Sequence, residues 1–263
     1  MRIRTLALAL ALAVVPASAA FAQETGIVAV VHGIPGEDDF PVDVYVNGDL
    51  TLEGFTFGSV TDPLELPAAD YDIEIFPGGA DPEADEPALS DTVTLPAGAN
   101  ASIVAHLTES GDPDLTVFVN DTSPIDAGNG RVVLRHTAAA PAVDVLSGDT
   151  PLAEGLTNPS EAQLDVPAGD YPVSIVPAGG GDPVFSVDAV PVAEGEALIV
   201  YAIGTVEGPF TVAVQTISGL HGSPSGVPTG DGGAAGAFPL WLGLLMAVAA
   251  VGVAGSVASA RRR

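Results

Sequence analysis

Apolar and polar residues alternate along two stretches in the first half of the chain. Val42, Val44 and Val46 share one parity, with polar or aromatic side chains between them, and residues 71–75 repeat the pattern. A period of two places successive side chains on opposite faces of a strand, so both stretches predict β-strands with one buried face. Asn47-Gly48 follows the first stretch and predicts a hairpin turn with positive φ.

Short β-rich runs, separated by Pro, Gly and Asp, continue through the rest of the chain. Their spacing predicts an all-β fold, with two tandem Ig-like antiparallel β-sandwich domains of roughly seven strands each. No sustained helical period interrupts them. The further runs cover residues 27–31, 92–95, 103–107, 115–119, 132–134, 143–146, 171–176, 197–203 and 210–214.

The two halves repeat one another. Val-Asp-Val at residues 42–44 returns at 143–145, and Pro-Ala-x-Asp-Tyr at 67–71 returns at 167–171. A period of about 100 residues is the size of a small domain. The predicted segments are repeat 1 (27–119), a linker rich in turn formers (120–130), repeat 2 (131–217) and a flexible Gly/Ser/Pro-rich spacer (218–237).

Residues 1–22 have the pattern of a secretory signal peptide. A basic start precedes an apolar run at residues 6–15, and Ala20-Phe21-Ala22 supplies an Ala-x-Ala site. We expect cleavage before Gln23, with cleavage after Ala19 as the alternative. The apolar run is too short to span a bilayer, which argues against an N-terminal anchor.

Residues 238–260 are uncharged and mostly small or apolar, and Arg261-Arg262-Arg263 follows them. A helix of this length reaches about 35 Å, enough to cross a bilayer. Cationic residues stay on the cytoplasmic side, so residues 261–263 predict a cytoplasmic basic tail. We therefore expect one transmembrane helix at 238–260 in the cell membrane, with the bulk of the chain extracytoplasmic on the cell surface.

A cell-wall sorting signal is the alternative for this tail. Val227-Pro228-Thr229-Gly230 is similar to the Leu-Pro-x-Thr-Gly motif of surface proteins, but has Val for Leu and lacks the x residue. Because a transpeptidase reads these positions individually, we favour the membrane anchor. Processing by a sortase-like enzyme stays open.

Acidic residues dominate the chain between its two ends. There are 34 acidic and 7 basic residues. Of the basic residues, only Arg131 and Arg135 lie outside the terminal segments, which leaves a formal charge of −32 (34 acidic residues less two arginines). Such a surface repels nucleic acid and anionic lipid, so nucleic acid is excluded as a partner. A saline habitat or a generally acidic secretome would each explain the charge.

The chain has no cysteine, which excludes disulfides, thiol catalysis and cysteine metal sites. It also lacks a Gly-x-Ser-x-Gly elbow, a Ser-x-x-Lys pair, a His-Glu-x-x-His helix and a phosphate loop. We therefore expect no enzyme, no cofactor, and no catalytic, cofactor-binding or metal-ligating residues.

Both halves resemble the bacterial and archaeal domain of unknown function 4397 (DUF4397). The similarity rests on a strand ending in His32 or His136, on the repeated Val-Asp-Val, and on Leu/Val-Pro-Ala-x-Asp-Tyr. Residues 55–60 are similar to the Phe-Gly segment of the family, whereas residues 157–160 depart from it. The resemblance implies an extracytoplasmic Ig-like sandwich, often in tandem on the cell surface, and implies no reaction.

Four histidines are candidates for chemistry. His32 and His136 occupy the same place in each repeat, as a metal ligand or catalytic base would. We favour instead a histidine at a strand end held by a neighbouring carbonyl, because the partners that catalysis needs do not repeat with it. His106 and His221 have no counterparts, and His221 falls in the predicted spacer.

Two other residue types recur. Asp43 and Asp144 either face solvent or brace the adjacent turn, and we favour bracing. Tyr71 and Tyr171 each enter a strand after a Pro-Ala-x turn, which predicts a corner tyrosine bonded back to the loop. Both are folding roles.

Acidic clusters are candidates for calcium, which takes six to eight oxygen ligands. They lie at residues 37–39 and 81–86 and at Glu194 with Glu196. Because none has the ordered ligand loop of a calcium site, we favour the absence of a specific calcium site. Asn100 and Asn120 begin glycosylation sequons, whereas the sequon at Asn158 is blocked by its proline.

The sequence thus predicts a membrane-anchored, non-catalytic surface protein. It would serve as an envelope spacer, or as an adhesive module that binds an envelope glycan or a surface protein. A hydrolase with an unrecognised carboxylate pair and a calcium-stabilised stalk are the alternatives.

Overall fold

The computed structural model describes residues 24–36 and 41–222, and every regular element within them is a β-strand. Eight strands belong to each repeat. Repeat 1 holds β1 (Thr25–His32), β2 (Val42–Val46), β3 (Asp49–Phe55), β4 (Leu64–Pro67), β5 (Ala69–Pro77), β6 (Leu89–Leu95), β7 (Asn100–Leu107) and β8 (Pro113–Val119). Repeat 2 holds β9 (Asn129–His136), β10 (Val143–Ser147), β11 (Thr150–Leu156), β12 (Ser160–Pro167), β13 (Gly169–Pro177), β14 (Phe185–Val192), β15 (Ala197–Gly204) and β16 (Phe210–Ile217).

Each repeat is built from two four-stranded sheets with the same topology. In repeat 1 the strand orders are β4-β1-β7-β8 and β3-β2-β5-β6; in repeat 2 they are β12-β9-β15-β16 and β11-β10-β13-β14. The predicted all-β class and tandem sandwich arrangement are confirmed. The domain boundaries stay predictions.

The expectation of purely antiparallel sheets is wrong at one pair in each repeat. β1 runs parallel to β7, with Val31 opposite Val104, and β9 runs parallel to β15, with Arg135 opposite Tyr201. These partners lie far apart in sequence, so no tight hairpin forces them to be antiparallel.

Each repeat also has more strands than the seven expected. The sequence runs omit β3, β4, β11, β12 and β14. Five of the eight edge positions in the four sheets belong to these strands, where Pro, Gly and acidic residues are tolerated and hide the alternation.

The two sheets of each repeat enclose an apolar core. The core of repeat 1 includes Val28, Val44, Ile73 and Ile75, all 5% exposed or less. Val44, Ile73 and Ile75 have the parity that the alternation assigned to the buried face. The core of repeat 2 is built from the corresponding strands of that repeat and includes Val132, Leu134, Val143 and Val145.

The recurring aspartate braces the neighbouring strand. The Asp43 carboxylate accepts hydrogen bonds from the backbone N–H of Gly54 at 2.8 Å and of Gly79 at 3.1 Å. Asp144 accepts one from Gly155 at 2.7 Å. Gly54 and Gly155 both have positive φ, next to a register shift between the paired strands. The predicted bracing of a turn holds for Asp43, through Gly79. The bond common to both aspartates instead braces this bulge.

The two corner tyrosines are confirmed. The Tyr71 hydroxyl donates to the Pro67 carbonyl at 2.7 Å, and the Tyr171 hydroxyl donates to the Pro167 carbonyl at the same distance. The Asn47-Gly48 turn is also as predicted, with φ of 53° and 83°.

Backbone hydrogen bonds continue beyond the last strand, which ends at Ile217. Leu220 is buried, donates its N–H to the Gly195 carbonyl and accepts a hydrogen bond from the N–H of Ile125. Gly222 donates to the Ile125 carbonyl. Residues 220–222 are therefore held by backbone hydrogen bonds to Ile125 and Gly195.

Replacing either corner tyrosine by phenylalanine keeps the ring and removes one hydrogen bond. We expect Tyr71→Phe and Tyr171→Phe each to lower the free energy of unfolding by about 1 kcal/mol, measured by urea titration followed by circular dichroism. Tyr45→Phe is the control, because Tyr45 packs its ring against Phe76. Corner variants as stable as the control would refute the tyrosine assignment.

Candidate functional site

One sheet of each repeat packs its outer face against the other repeat, and we call this contact the junction. It joins the sheet of β1, β4, β7 and β8 to the sheet of β9, β12, β15 and β16. The two repeats consequently belong to one compact unit. The buried junction residues are Val31, Val104 and Phe118 from repeat 1 with Val133, Ile199, Tyr201, Ile203 and Ala213 from repeat 2.

A guanidinium group lies inside the junction. The Arg135 side chain is 1% exposed. Its Nε donates to Glu161 at 2.9 Å, its Nη1 to the Tyr201 hydroxyl at 2.8 Å, and its Nη2 to Asn120 Oδ1 at 2.8 Å. Its Cζ lies 4.4 Å from the centre of the Phe118 ring, a cation–π contact with repeat 1. A buried charge requires such compensation.

The network continues across the junction through neutral groups. The Tyr201 hydroxyl donates to Gln215 Oε1, and the Ser102 hydroxyl of repeat 1 donates to the same oxygen at 2.8 Å. Burial is the largest cause of the raised pKa of Tyr201, outweighing the opposing influence of Arg135. Tyr201 therefore stays a neutral donor at neutral pH.

A second polar link spans the junction at its other end. Asn158 Nδ2 donates to the Leu107 carbonyl of repeat 1 at 2.7 Å and to the Ala138 carbonyl of repeat 2 at 2.5 Å. The sequence identified Asn158 only as a blocked sequon. The structure gives it a bridging role.

The other arginine of the described chain holds the linker. Arg131 donates to both carboxylate oxygens of Asp165, at 2.8 and 3.1 Å, and lies 3.1 Å from Asp121 Oδ2. The hydrogen bonds that Arg131 donates to Asp165 are the largest cause of the raised pKa of Arg131. Hydrogen bonds from Ser123 are the largest cause of the lowered pKa of Asp121, about 2. Both arginines are thus committed to internal contacts.

His32 is buried at the end of β1. The expected hydrogen bond to a neighbouring carbonyl is not found among the described residues. The ring stacks on Phe55, with centroids 5.9 Å apart and an interplanar angle of 24°. Its buried Nδ1 has no hydrogen-bond partner among the described residues. Burial lowers the pKa of His32 to about 4, so the ring is neutral at pH 7.

His136, unlike His32, has the predicted contact with a neighbouring carbonyl. Its Nε2 lies 3.1 Å from the Pro141 carbonyl oxygen. His106 lies on β7, with Nδ1 3.0 Å from the Leu107 carbonyl and Nε2 2.8 Å from Thr116 Oγ1. Burial is the largest cause of the lowered pKa of His106 and of His136.

His221, expected in the spacer, is exposed, and its backbone forms a β-bridge with Ile125.

Both open sequons lie in the junction network. Asn120 is 7% exposed, and its Nδ2 donates to Asn100 Oδ1 at 2.7 Å. Ser102, the third residue of the first sequon, is fully buried. Glycosylation of Asn120 at its Nδ2 is therefore incompatible with the folded junction.

The acidic clusters that the structure describes are tied to backbone and hydroxyl donors. Asp81 accepts from the N–H of Glu83, Glu194 accepts from the N–H of Gly128, and Glu196 accepts from the Ser218 hydroxyl. Across residues 24–36 and 41–222, no three His, Asp or Glu side chains are grouped closely enough to hold a metal ion. The cluster at residues 37–39 lies outside the described residues.

The two predicted terminal segments also lie outside the described residues, namely 1–22 and 238–260 with its basic tail. Within the part of the chain that the structure describes, no helix has the length and apolarity needed to cross a bilayer. The signal peptide and the transmembrane helix stay predictions.

Sequence reasoning missed the junction. A sequence signal existed, because β15 reads Ala-Leu-Ile-Val-Tyr-Ala-Ile-Gly, and a strand apolar at every position is buried on both faces. Arg135 was a second signal, as one of two basic residues between the predicted terminal segments, set within an apolar strand.

The family model described as "Domain of unknown function (DUF4397)" matches residues 26–146. This match confirms the resemblance read from the sequence over residues 26–146. The matched region covers repeat 1, the linker and the first strands of repeat 2. None of the curated proteins matches the chain.

Three solved structures show weak likeness. A streptococcal virulence factor described for alpha-glucan binding is 11% identical, with a TM-score of 0.23 over 72% of this chain and 96% of that chain. The family 26 carbohydrate-binding module of Eubacterium rectale Amy13K, solved with maltoheptaose, is 12% identical, with a TM-score of 0.23 over 72% and 95%. The Bacillus anthracis TIE protein is 11% identical, with a TM-score of 0.22 over 74% and 43%. Scores this low carry no argument about fold or function.

Removing the buried guanidinium should separate the unfolding of the two repeats. We expect Arg135→Met to lower the free energy of unfolding by about 3 kcal/mol, because it strands polar partners inside the junction. Arg131→Met is the matched control, since Arg131 holds the linker without bonding repeat 1. We expect two calorimetric transitions for Arg135→Met and one for Arg131→Met. A single transition for Arg135→Met at the melting temperature of the parent chain would show that the junction does not depend on the Arg135 guanidinium.

Burial of His32 should make stability depend on pH. Its pKa is lowered from 6.5 to about 4, so the unfolded chain binds a proton first as pH falls. The stabilising effect of neutral His32 is therefore complete above pH 6.5 and is lost between pH 6.5 and 4. His32→Phe keeps a ring against Phe55 and removes the titration.

The difference in melting temperature between the parent chain and His32→Phe isolates this effect from titration of the many carboxylates. We expect the parent to lose stability relative to the variant from pH 6.5 to 4. A difference that does not change with pH would contradict the assignment.

Proposed function

We propose that this chain is a non-catalytic surface module, displayed outside the cell by a C-terminal membrane anchor, whose two repeats act as one rigid spacing or binding unit. The observation that carries the proposal is the junction. Two sandwiches that share a buried core and a buried polar network hold a fixed orientation, which suits display at a distance from a membrane.

The residues that recur between the repeats support a scaffold. The aspartates brace bulges and the tyrosines close corners. The recurring histidines are buried. A shared catalytic constellation would instead place recurring polar side chains together in a cleft.

The anchored, outward orientation is supported by the sequence of the ends. An apolar stretch at 238–260 followed by three arginines favours a single crossing with the C-terminus inside. The acidic surface also disfavours close adsorption to anionic lipid. Gly/Ser/Pro-rich residues between Gly222 and the apolar stretch would let the folded unit stand away from the bilayer.

Cell fractionation and surface proteolysis test this orientation. In cells that produce the full chain, we expect it to stay in the membrane fraction through an alkaline carbonate wash and to be cut by protease added to intact cells. A chain ending at Ala237 should be released into the medium. A chain lacking residues 224–237 but keeping the apolar stretch is the matched control and should remain in the membrane.

Recovery of the full chain from the cytoplasm, or protection from protease on intact cells, would overturn the proposal. Release of the full chain from the membrane by the carbonate wash would refute the anchor alone.

A further inference from the structure

The described sheets end in eight edge strands, and β16 differs from the rest. Seven edges contain a Pro, a Gly or a charged residue, features that block pairing with another chain. β16 reads Phe-Thr-Val-Ala-Val-Gln-Thr-Ile and contains none of them. It is an open pairing edge eight residues long.

An apolar groove runs beside this edge, between β16 and β14. Its volume is about 490 Å³, and its floor is Leu198 of β15. Val212 and Val214 of β16 form one wall, and Val187 and Val190 of β14 form the other. Val214 is 48% exposed, so apolar surface faces solvent along the open edge.

Repeat 1 is closed at the equivalent place. Val93 and Leu115 occupy the positions of Val190 and Val212, because they pair with the corresponding residues of the neighbouring strands. Val93 is 4% and Leu115 is 8% exposed, whereas both valines of repeat 2 are only half-buried. The groove is therefore a feature of one repeat and does not follow from the shared topology.

The charge around the groove indicates what fits it. Glu196 lines the groove, and Asp188, Glu194 and Glu207 lie in its strands and adjoining turns. The two described arginines are bound elsewhere. A second copy of this chain would bring the same negative charge, while a cationic segment would be attracted.

We propose that β16 accepts an extended strand from another protein, in which apolar residues alternate with Lys or Arg. The strand pairs its backbone with β16 and extends that sheet. Its apolar side chains enter the groove and its cationic side chains point to the opposite face, while the negative charge around β16 attracts the strand as a whole. This inference rests on the proposed function, since it gives the displayed unit a protein partner and a place to bind it.

A synthetic peptide tests the surface directly. The probe is an eight-residue peptide that alternates valine and lysine, added to the full chain in detergent; the same peptide with glutamate for lysine is its counterpart. We expect saturable binding of the lysine peptide, weakened by salt, and new protection of β16 amides from hydrogen exchange. The glutamate peptide should not bind.

Two matched variants locate the site. Val214→Glu adds a charge to the open edge and groove, and we expect it to weaken binding at least tenfold. Val119→Glu adds the same charge at an exposed position of β8, 57% exposed, and should leave binding unchanged. Circular dichroism confirms that both variants fold.

Equal binding of the two peptides, protection outside β16, or an equal loss in both variants would overturn the proposal. So would no saturable binding. Sedimentation showing a dimer of the full chain that Val214→Glu dissolves would assign the edge to a second copy and refute a foreign strand. None of these results affects membrane retention or surface proteolysis, so the proposed function is judged separately.

Discussion

The packing of the Arg135 guanidinium between the repeats is the constraint around which the molecule is arranged. A buried charge is tolerated only when its donors are satisfied, and here the hydrogen-bond partners come from repeat 2 and from the start of the linker. Repeat 1 contributes the Phe118 ring that packs on the guanidinium. Tyr201, Gln215 and Ser102 then extend the network across the contact. The linker sequence can be short and rich in turns because the junction, and not the linker, fixes the orientation of the repeats.

The sequence predicted the parts of the fold that obey local rules. Alternation located β2 and β5, and Asn47-Gly48 located the turn that follows β2. The Pro-Ala-x-Asp-Tyr motif located both corner tyrosines. Each of these patterns reflects contacts between residues that are near in sequence. The edge strands β11 and β14 were missed because their Pro, Gly and Asp residues resemble turn signals. The parallel pairing of β1 with β7 was missed because local sequence carries no information on the direction of a distant partner.

The candidate site illustrates the same limit. The recurring residues could be assigned folding roles, and Asp43 and Tyr71 confirm them. The junction could not be assembled, since Ser102 and Gln215 lie 113 positions apart and neither belongs to a recognisable motif. His32 and His136, equal in sequence position, differ in their contacts because the first meets Phe55 and the second meets the Pro141 carbonyl.

The junction is asymmetric although it joins two copies of one topology. The register places Val31 and Val104 of repeat 1 where repeat 2 has Arg135 and Tyr201. Each face is therefore complementary to the other and not to itself. The contact uses the one junction face that each repeat presents, so within the described part of the chain a third copy of either kind would find no free junction face on which to stack.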